Sequence, residues 1–101
     1  MLNMIKGWIG QENTQLSGVI KGKLPLASIR ELEIFVRRFN IVGTVRVVRE
    51  NYAEFIFEGP RHRLSRFLKY LPHCGPMQGK TADIRWGEYT ARYRQLRVTW
   101  E

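Results

Sequence analysis

Three stretches of this 101-residue sequence hold side chains that could do chemistry. In "LPHCGP", His73 stands beside Cys74. A thiol next to an imidazole suggests a nucleophile and its base, but neighbours in a loop rarely aim at one another. The plainer reading is a partly buried loop thiol. Neither His62 nor His73 has metal-ligand spacing with Cys74 or with a carboxylate cluster, so no metal site is expected and both histidines read as structural surface residues. In "GPRHRLSRFLKYLP", Arg61, Arg63, Arg66 and Lys69 lie off the apolar positions. They form a basic face that would either bind an anion or simply stay solvated. In "GKLPLASIR", a glycine, a lysine and an arginine flank what reads as a strand-to-helix junction, a place where phosphate is often held.

Composition sets the limits. Lysine and arginine number 17 against 9 aspartates and glutamates, a net charge of +8, with 44% hydrophobic and 26% charged residues. This is globular material of a size for one domain with one two-layer core. The basic excess favours anionic partners: phosphate-containing small molecules, acidic proteins or nucleic acid. No apolar run nears the ~20 residues of a membrane span, so no membrane partner is expected. "MLNMIKGWIG" is too short and too interrupted for a secretory signal. A lone cysteine suits a reducing compartment, which makes the cytoplasm the default. Residues 1–13 read as an N-terminal extension and 14–101 as the domain. Nothing in the sequence speaks to oligomeric state.

The elements that must position these groups follow from periodicity. Thr14–Lys21 alternates, with Leu16, Gly18 and Ile20 on one face. A helix is expected from Leu26 or Ala27 to Phe39, with Ile29, Leu32, Val36 and Phe39 in one stripe, Phe35 widening it and Asn40 as a left-handed end. "VGTVRVVRENYAEFIFEG" reads as a hairpin turning at Glu50–Asn51. Val45 and Val47 share a side in its first arm, and Ala53, Phe55 and Phe57 in its second, leaving Glu54, Ile56 and Glu58 outward. Pro60 suits the first turn of a second helix whose face is Leu64, Phe67, Leu68 and Leu71, and Pro72 stops it. Two further strands put Ala82, Ile84 and Trp86, then Leu96, Val98 and Trp100, inward. "WGEYTARYRQ" between them reads as a hairpin loop whose tyrosines pack on the sheet edge, or as a partner-binding tip. The order is β-α-β-β-α-β plus a C-terminal strand. The expected fold is therefore α+β, a ferredoxin-like two-layer sandwich with two helices on one face of an antiparallel or mixed sheet. The open face would carry Arg46, Asp83, Arg85 and Arg97, a mixed surface without the stacking aromatics that sheet-face RNA modules use.

With these elements in order, the sequence resembles the acylphosphatase family from about Leu16 to Trp100. "GVIKG" looks like the family's first strand and phosphate-loop start, "FNIVGTV" its second-strand entry, "FEGP" the close of its third strand, "FLKYLPHCGP" its second helix and following Gly-Pro, and "LRVTW" its last strand. The resemblance implies hydrolysis of acyl phosphates without metal or cofactor. A glycine-rich loop and an arginine would grip the phosphate, and a strand asparagine would position water. The residues present depart from that pattern. After Gly22 and Lys23, Leu24 holds the second glycine's place. The arginine's place falls on Leu26 counting forward or Ile29 counting back, and the asparagine's on Val47. Asn51, in the turn, is expected at the wrong end of the strand to substitute. Pro25 has no N–H, and a leucine or isoleucine cannot make a guanidinium's paired charged hydrogen bonds. Losing one preorganised donor costs roughly 10²–10³ in rate. The expectation is a domain with impaired chemistry that binds an anion or a partner. The alternatives are an active acylphosphatase whose rearranged loop uses Arg30 or Lys23, and nonspecific nucleic-acid binding through the basic helix face.

Overall fold

A computed structural model describes residues 12–71 and 80–101. The chain runs β1 (Asn13–Lys21), α1 (Leu26–Arg38), β2 (Val42–Arg49), β3 (Tyr52–Pro60), α2 (Arg61–Tyr70), β4 (Thr81–Gly87) and β5 (Leu96–Trp100). The expected element order and the α+β two-layer plan are both present. The strands form one mixed sheet in the order β4-β1-β3-β2-β5. β1 pairs antiparallel with β3 and with β4, β2 antiparallel with β3, and β5 parallel with β2. Most of the expected extension, the Gly75–Pro76 landmark, Pro72, His73 and Cys74 lie outside the described residues.

The core forms where the alternating strand faces meet the helix stripes. Leu16, Ile20, Val45, Val47, Ala53, Phe55 and Phe57 from the sheet are buried against Ile29, Leu32 and Val36 of α1 and Leu64 and Phe67 of α2. Phe67 is the hub, with its ring centroid 5.3 Å from Phe57, 5.5 Å from Phe35 and 5.7 Å from Phe39. Such tilted and edge-on aromatic pairs add to the stabilisation that area burial already supplies. Asn40 adopts the left-handed conformation expected of a helix end, with φ 55°. Pro60 ends β3 and caps α2, which begins at Arg61, one residue later than expected. Gly43 has φ +147°, and a Cβ there would stand 1.9 Å from the Ile56 carbonyl oxygen, so the β2–β3 contact admits only glycine.

Four expectations need correction. β4 and β5 occupy opposite edges of the sheet, so residues 88–95 are not a hairpin loop. They cross one end of the sheet. Glu58, expected outward, lies beneath that crossing and is fully buried. A register irregularity between Ser17 and Val19, where Asp83 takes φ 53°, shifts β4 by one face. Ala82 therefore pairs with Val19 on the open side, whereas Trp86 pairs with Leu16 on the helix side. Finally, Trp86 and Trp100 sit on the two edge strands and remain 39% and 51% exposed.

Candidate functional site

The junction between β1 and α1 is the first place to look for an anion cradle. There the chain leaves the sheet at Gly22 in a positive-φ conformation (122°), as a tight turn requires. The Gly22 amide then donates to the Asn51 carbonyl at 2.9 Å, and the Leu24 amide to the Glu50 carbonyl at 2.9 Å. Both N–H groups are thus engaged by the β2–β3 turn. Leu24 is buried in the core, and Pro25 precedes α1 without a side-chain cap or an N–H of its own. Lys23 is exposed, and its carbonyl accepts a 2.6 Å hydrogen bond from the Lys80 ammonium.

The positions that the acylphosphatase pattern would assign to arginine and asparagine lie away from any such cradle. Ile29 and Val47 are both buried in the core, and Leu26 is 54% exposed on the helix surface. Arg30 is exposed on α1. Asn51 departs from expectation. The turn lies at the same end of the sheet as the junction, so Asn51 is a neighbour of Gly22. It joins Lys21, Gly22, Arg49 and Tyr52 around a shallow cleft of about 340 Å³. The cations of this cleft have partners: Lys21 reaches Asp83 at 3.9 Å, and the Arg49 guanidinium lies 5.4 Å from the Tyr52 ring centre.

The basic face of α2 is not one surface. Arg61 turns towards β4 and lies over Trp86, 4.6 Å from the ring centre. Arg63 and Arg66 turn the other way, into a cleft of about 620 Å³ that they share with Arg38, Asn40, His62 and Tyr70. Lys69 is exposed and lines neither place. Arg38 and Tyr70 are not among the residues singled out from the sequence. Arg38's position off the apolar stripe in the last turn of α1 was a signal for it. Nothing local marks Tyr70, whose role depends on how the two helices pack.

The open face of the sheet has its own charge pattern. Arg46 is paired with Glu54 and, at 3.1 Å, with Glu101. The hydrogen bond to Glu54, then the attraction of Glu101, raise its pKa further above the ordinary arginine value. Beside this cluster a depression of about 470 Å³ includes Ser17, Ile56, Asp83 and Arg85. This is the expected mixed surface, and Arg97 lies on the same face in a second cleft of about 630 Å³. There it joins Arg92, Tyr93 and Arg94 of the crossing segment and Gly43 and Thr44 of β2.

The geometry can be set against known proteins. No family model matches the sequence. An acylphosphatase from Roseiflexus sp. (strain RS-1) is 26% identical over 87 residues, covering 84% of this chain and 89% of that protein. Among solved structures, an acylphosphatase from Coxiella burnetii superposes with a TM-score of 0.64 at 22% identity, covering 85% of this chain and 92% of that one. The BLUF protein BlrB in its dark state superposes with a TM-score of 0.69 at 18% identity, over 90% of this chain and 74% of that one. The fold is thus shared with proteins of different chemistry, and fold alone assigns none of them. Sequence likeness and topology agree on one description: the chain is an acylphosphatase-like domain with a ferredoxin-like α+β architecture.

Proposed function

We propose that this acylphosphatase-like domain is catalytically impaired and acts as a binding module for an anion or a partner. One observation carries the reading: the amides of Gly22 and Leu24 donate to the carbonyls of Asn51 and Glu50 rather than converging outward. A phosphate cradle needs several unengaged N–H groups aimed at one point, and a guanidinium to complete it. The burial of Ile29 and Val47 supports the same reading, because side chains packed in the core cannot meet a ligand at the loop. The charge of +8 supports an anionic ligand, a small phosphate compound or an acidic protein being the simplest forms. No helix among the described residues is long and apolar enough to cross a membrane. The single cysteine supports a reducing compartment such as the cytoplasm.

The test is hydrolysis of benzoyl phosphate followed at neutral pH. The expected rate of release is that of buffer alone. Enzymatic release that disappears in Arg30→Ala would overturn the reading in favour of a rearranged active loop. Release that survives Arg30→Ala but disappears in Arg49→Ala would overturn it in favour of the cleft beside Asn51.

A further inference from the structure

The two arginine clefts lie at the end of the sheet remote from the β1–α1 junction. The first holds Arg38, Arg63, Arg66 and Tyr70 on the helix side. The second holds Arg92, Tyr93, Arg94 and Arg97 on the open side. Both flank the entry to β2. Asn40 lines one and Gly43 the other, three residues apart, or at most about 11 Å of extended chain. Each cleft combines guanidiniums with a tyrosine, and neither is lined by a carboxylate.

The clefts gather six guanidiniums at one end of the molecule. Other basic side chains do have partners, Arg46 with Glu54 and Glu101, Arg37 with Glu33, Lys21 with Asp83 and Arg49 over Tyr52. Among the described residues, none of the six cleft arginines forms an ion pair. Glu58, at this end of the sheet, is turned under the crossing segment and fully buried, and Glu31 shares a small adjoining cleft with Arg38 but forms no ion pair with it. Holding like charges together without counterions costs free energy, which a bound anion would offset.

Tyr70 adds a shape requirement. One side of its ring leans on Phe39 and Phe35, with centroids 6.0 Å and 6.5 Å away, yet the residue is 54% exposed. A ring held by its neighbours, uncovered, and bordered by arginines is a stacking platform for a flat aromatic group attached to a phosphate. That combination is a nucleotide. A single cleft would satisfy one free nucleotide. Two such clefts, three residues apart at the entry to β2, fit successive nucleotides of one strand passing around this end.

We propose that the domain binds single-stranded nucleic acid along the two arginine–tyrosine clefts flanking the start of β2. This rests on reading the domain as an anion-binding module, and it names the ligand and the surface. Affinity then comes from phosphate contacts and base stacking, so it is tolerant of sequence and steeply dependent on salt.

The experiment uses the full chain and a fluorescein-labelled oligothymidylate of roughly 12 nucleotides, within the range of single-strand sites, followed by anisotropy. If about four phosphates are neutralised, affinity should fall roughly 50-fold between about 50 and 200 mM salt. Arg38→Gln/Arg66→Gln and Tyr70→Leu should each weaken binding about tenfold or more. These exchanges retain the aliphatic stem or the apolar packing, and circular dichroism melting verifies the fold. The charge-matched pair Lys21→Ala/Arg49→Ala, at the other end of the sheet, should bind like the parent.

Several results would overturn the proposal. No binding at about 50 mM salt would do so, as would cleft variants that bind normally. Loss of binding only in the Lys21/Arg49 pair would move the anion site to the loop end and leave the binding-module reading standing. Free thymidine monophosphate binding as tightly as the oligonucleotide would make the ligand a single nucleotide. Benzoyl phosphate turnover is read separately, so an active enzyme and an inert cleft are told apart.

Discussion

Glu58 illustrates what a single residue contributes that its neighbours in sequence do not foretell. Strand alternation puts it on the open face, and that is where it is. Yet the crossing segment covers it completely. Its Oε2 accepts from Gln15 Nε2 at 2.9 Å, from the Thr90 amide at 2.8 Å and from the Thr90 hydroxyl at 2.9 Å. Its Oε1 is buried and has no partner among the described residues. A carboxylate out of water is tolerated only when donors compensate it, and here they gather on one oxygen. The contact pins residues 88–95, and therefore Arg92, Tyr93 and Arg94, across the end of the sheet. Glu58→Ala removes three accepted hydrogen bonds and should lower stability by about 2–3 kcal/mol. Glu58→Gln keeps one carbonyl acceptor but puts an amide N–H₂ where no acceptor stands, and should cost about 1 kcal/mol. Denaturant midpoints of the two variants check the order. Equal midpoints would show that Thr90 is not held through this carboxylate.

The elements themselves were legible because each carries a strong local pattern. The stripe Ile29–Leu32–Val36 fixed the face of α1, and Leu64–Phe67–Leu71 that of α2. Phe55 and Phe57 separated the two faces of β3, and Glu50–Asn51 marked the turn. The crossing segment was not legible, because a loop's path depends on which strands it joins. Only the sheet order reveals that β4 and β5 are opposite edges. Asn51 was misplaced for a related reason: its proximity to Gly22 arises from the pairing of Lys21 with Tyr52. The junction after β1 was half legible. The missing glycine and arginine could be read directly, but not the fact that Leu24 would enter the core and its amide would join the β2–β3 turn. This gives a prediction at the scale of the junction. Leu24→Gly returns a glycine to the loop yet empties a core position, so it should cost at least about 3 kcal/mol. It should not produce benzoyl phosphate hydrolysis, since the amide at that position still faces Glu50. Thermal melts and a release assay on the same sample check both halves, and turnover in the variant would reverse the account of the loop.

Across the whole molecule the excess charge is unevenly neutralised, and that determines how salt acts on the fold. Ion pairs occupy the helix surface and the middle of the sheet: Arg37 with Glu33, Arg46 with Glu54 and Glu101, Lys21 with Asp83. All are solvent-exposed, and such pairs stabilise by about 0–1 kcal/mol each. The six arginines of the two clefts repel one another and the rest of a net +8 chain. Raising ionic strength from about 0.01 to 0.15 M shortens the screening length from about 30 to about 8 Å. It weakens both kinds of interaction, but the long-range repulsion suffers more than contacts within 4 Å. The melting temperature should therefore rise with salt, by about 4 °C or more if roughly 1 kcal/mol of repulsion is screened. Arg38→Gln/Arg66→Gln lowers the net charge from +8 to +6, since 15 basic residues would face 9 acidic ones. That variant should melt higher than the parent at low salt and gain less from added salt, because the repulsion it relieves is the repulsion that salt screens. A melting temperature that falls as salt rises would mean that the surface ion pairs outweigh the cationic end. The clefts would then carry no stored repulsion for a ligand's phosphates to relieve.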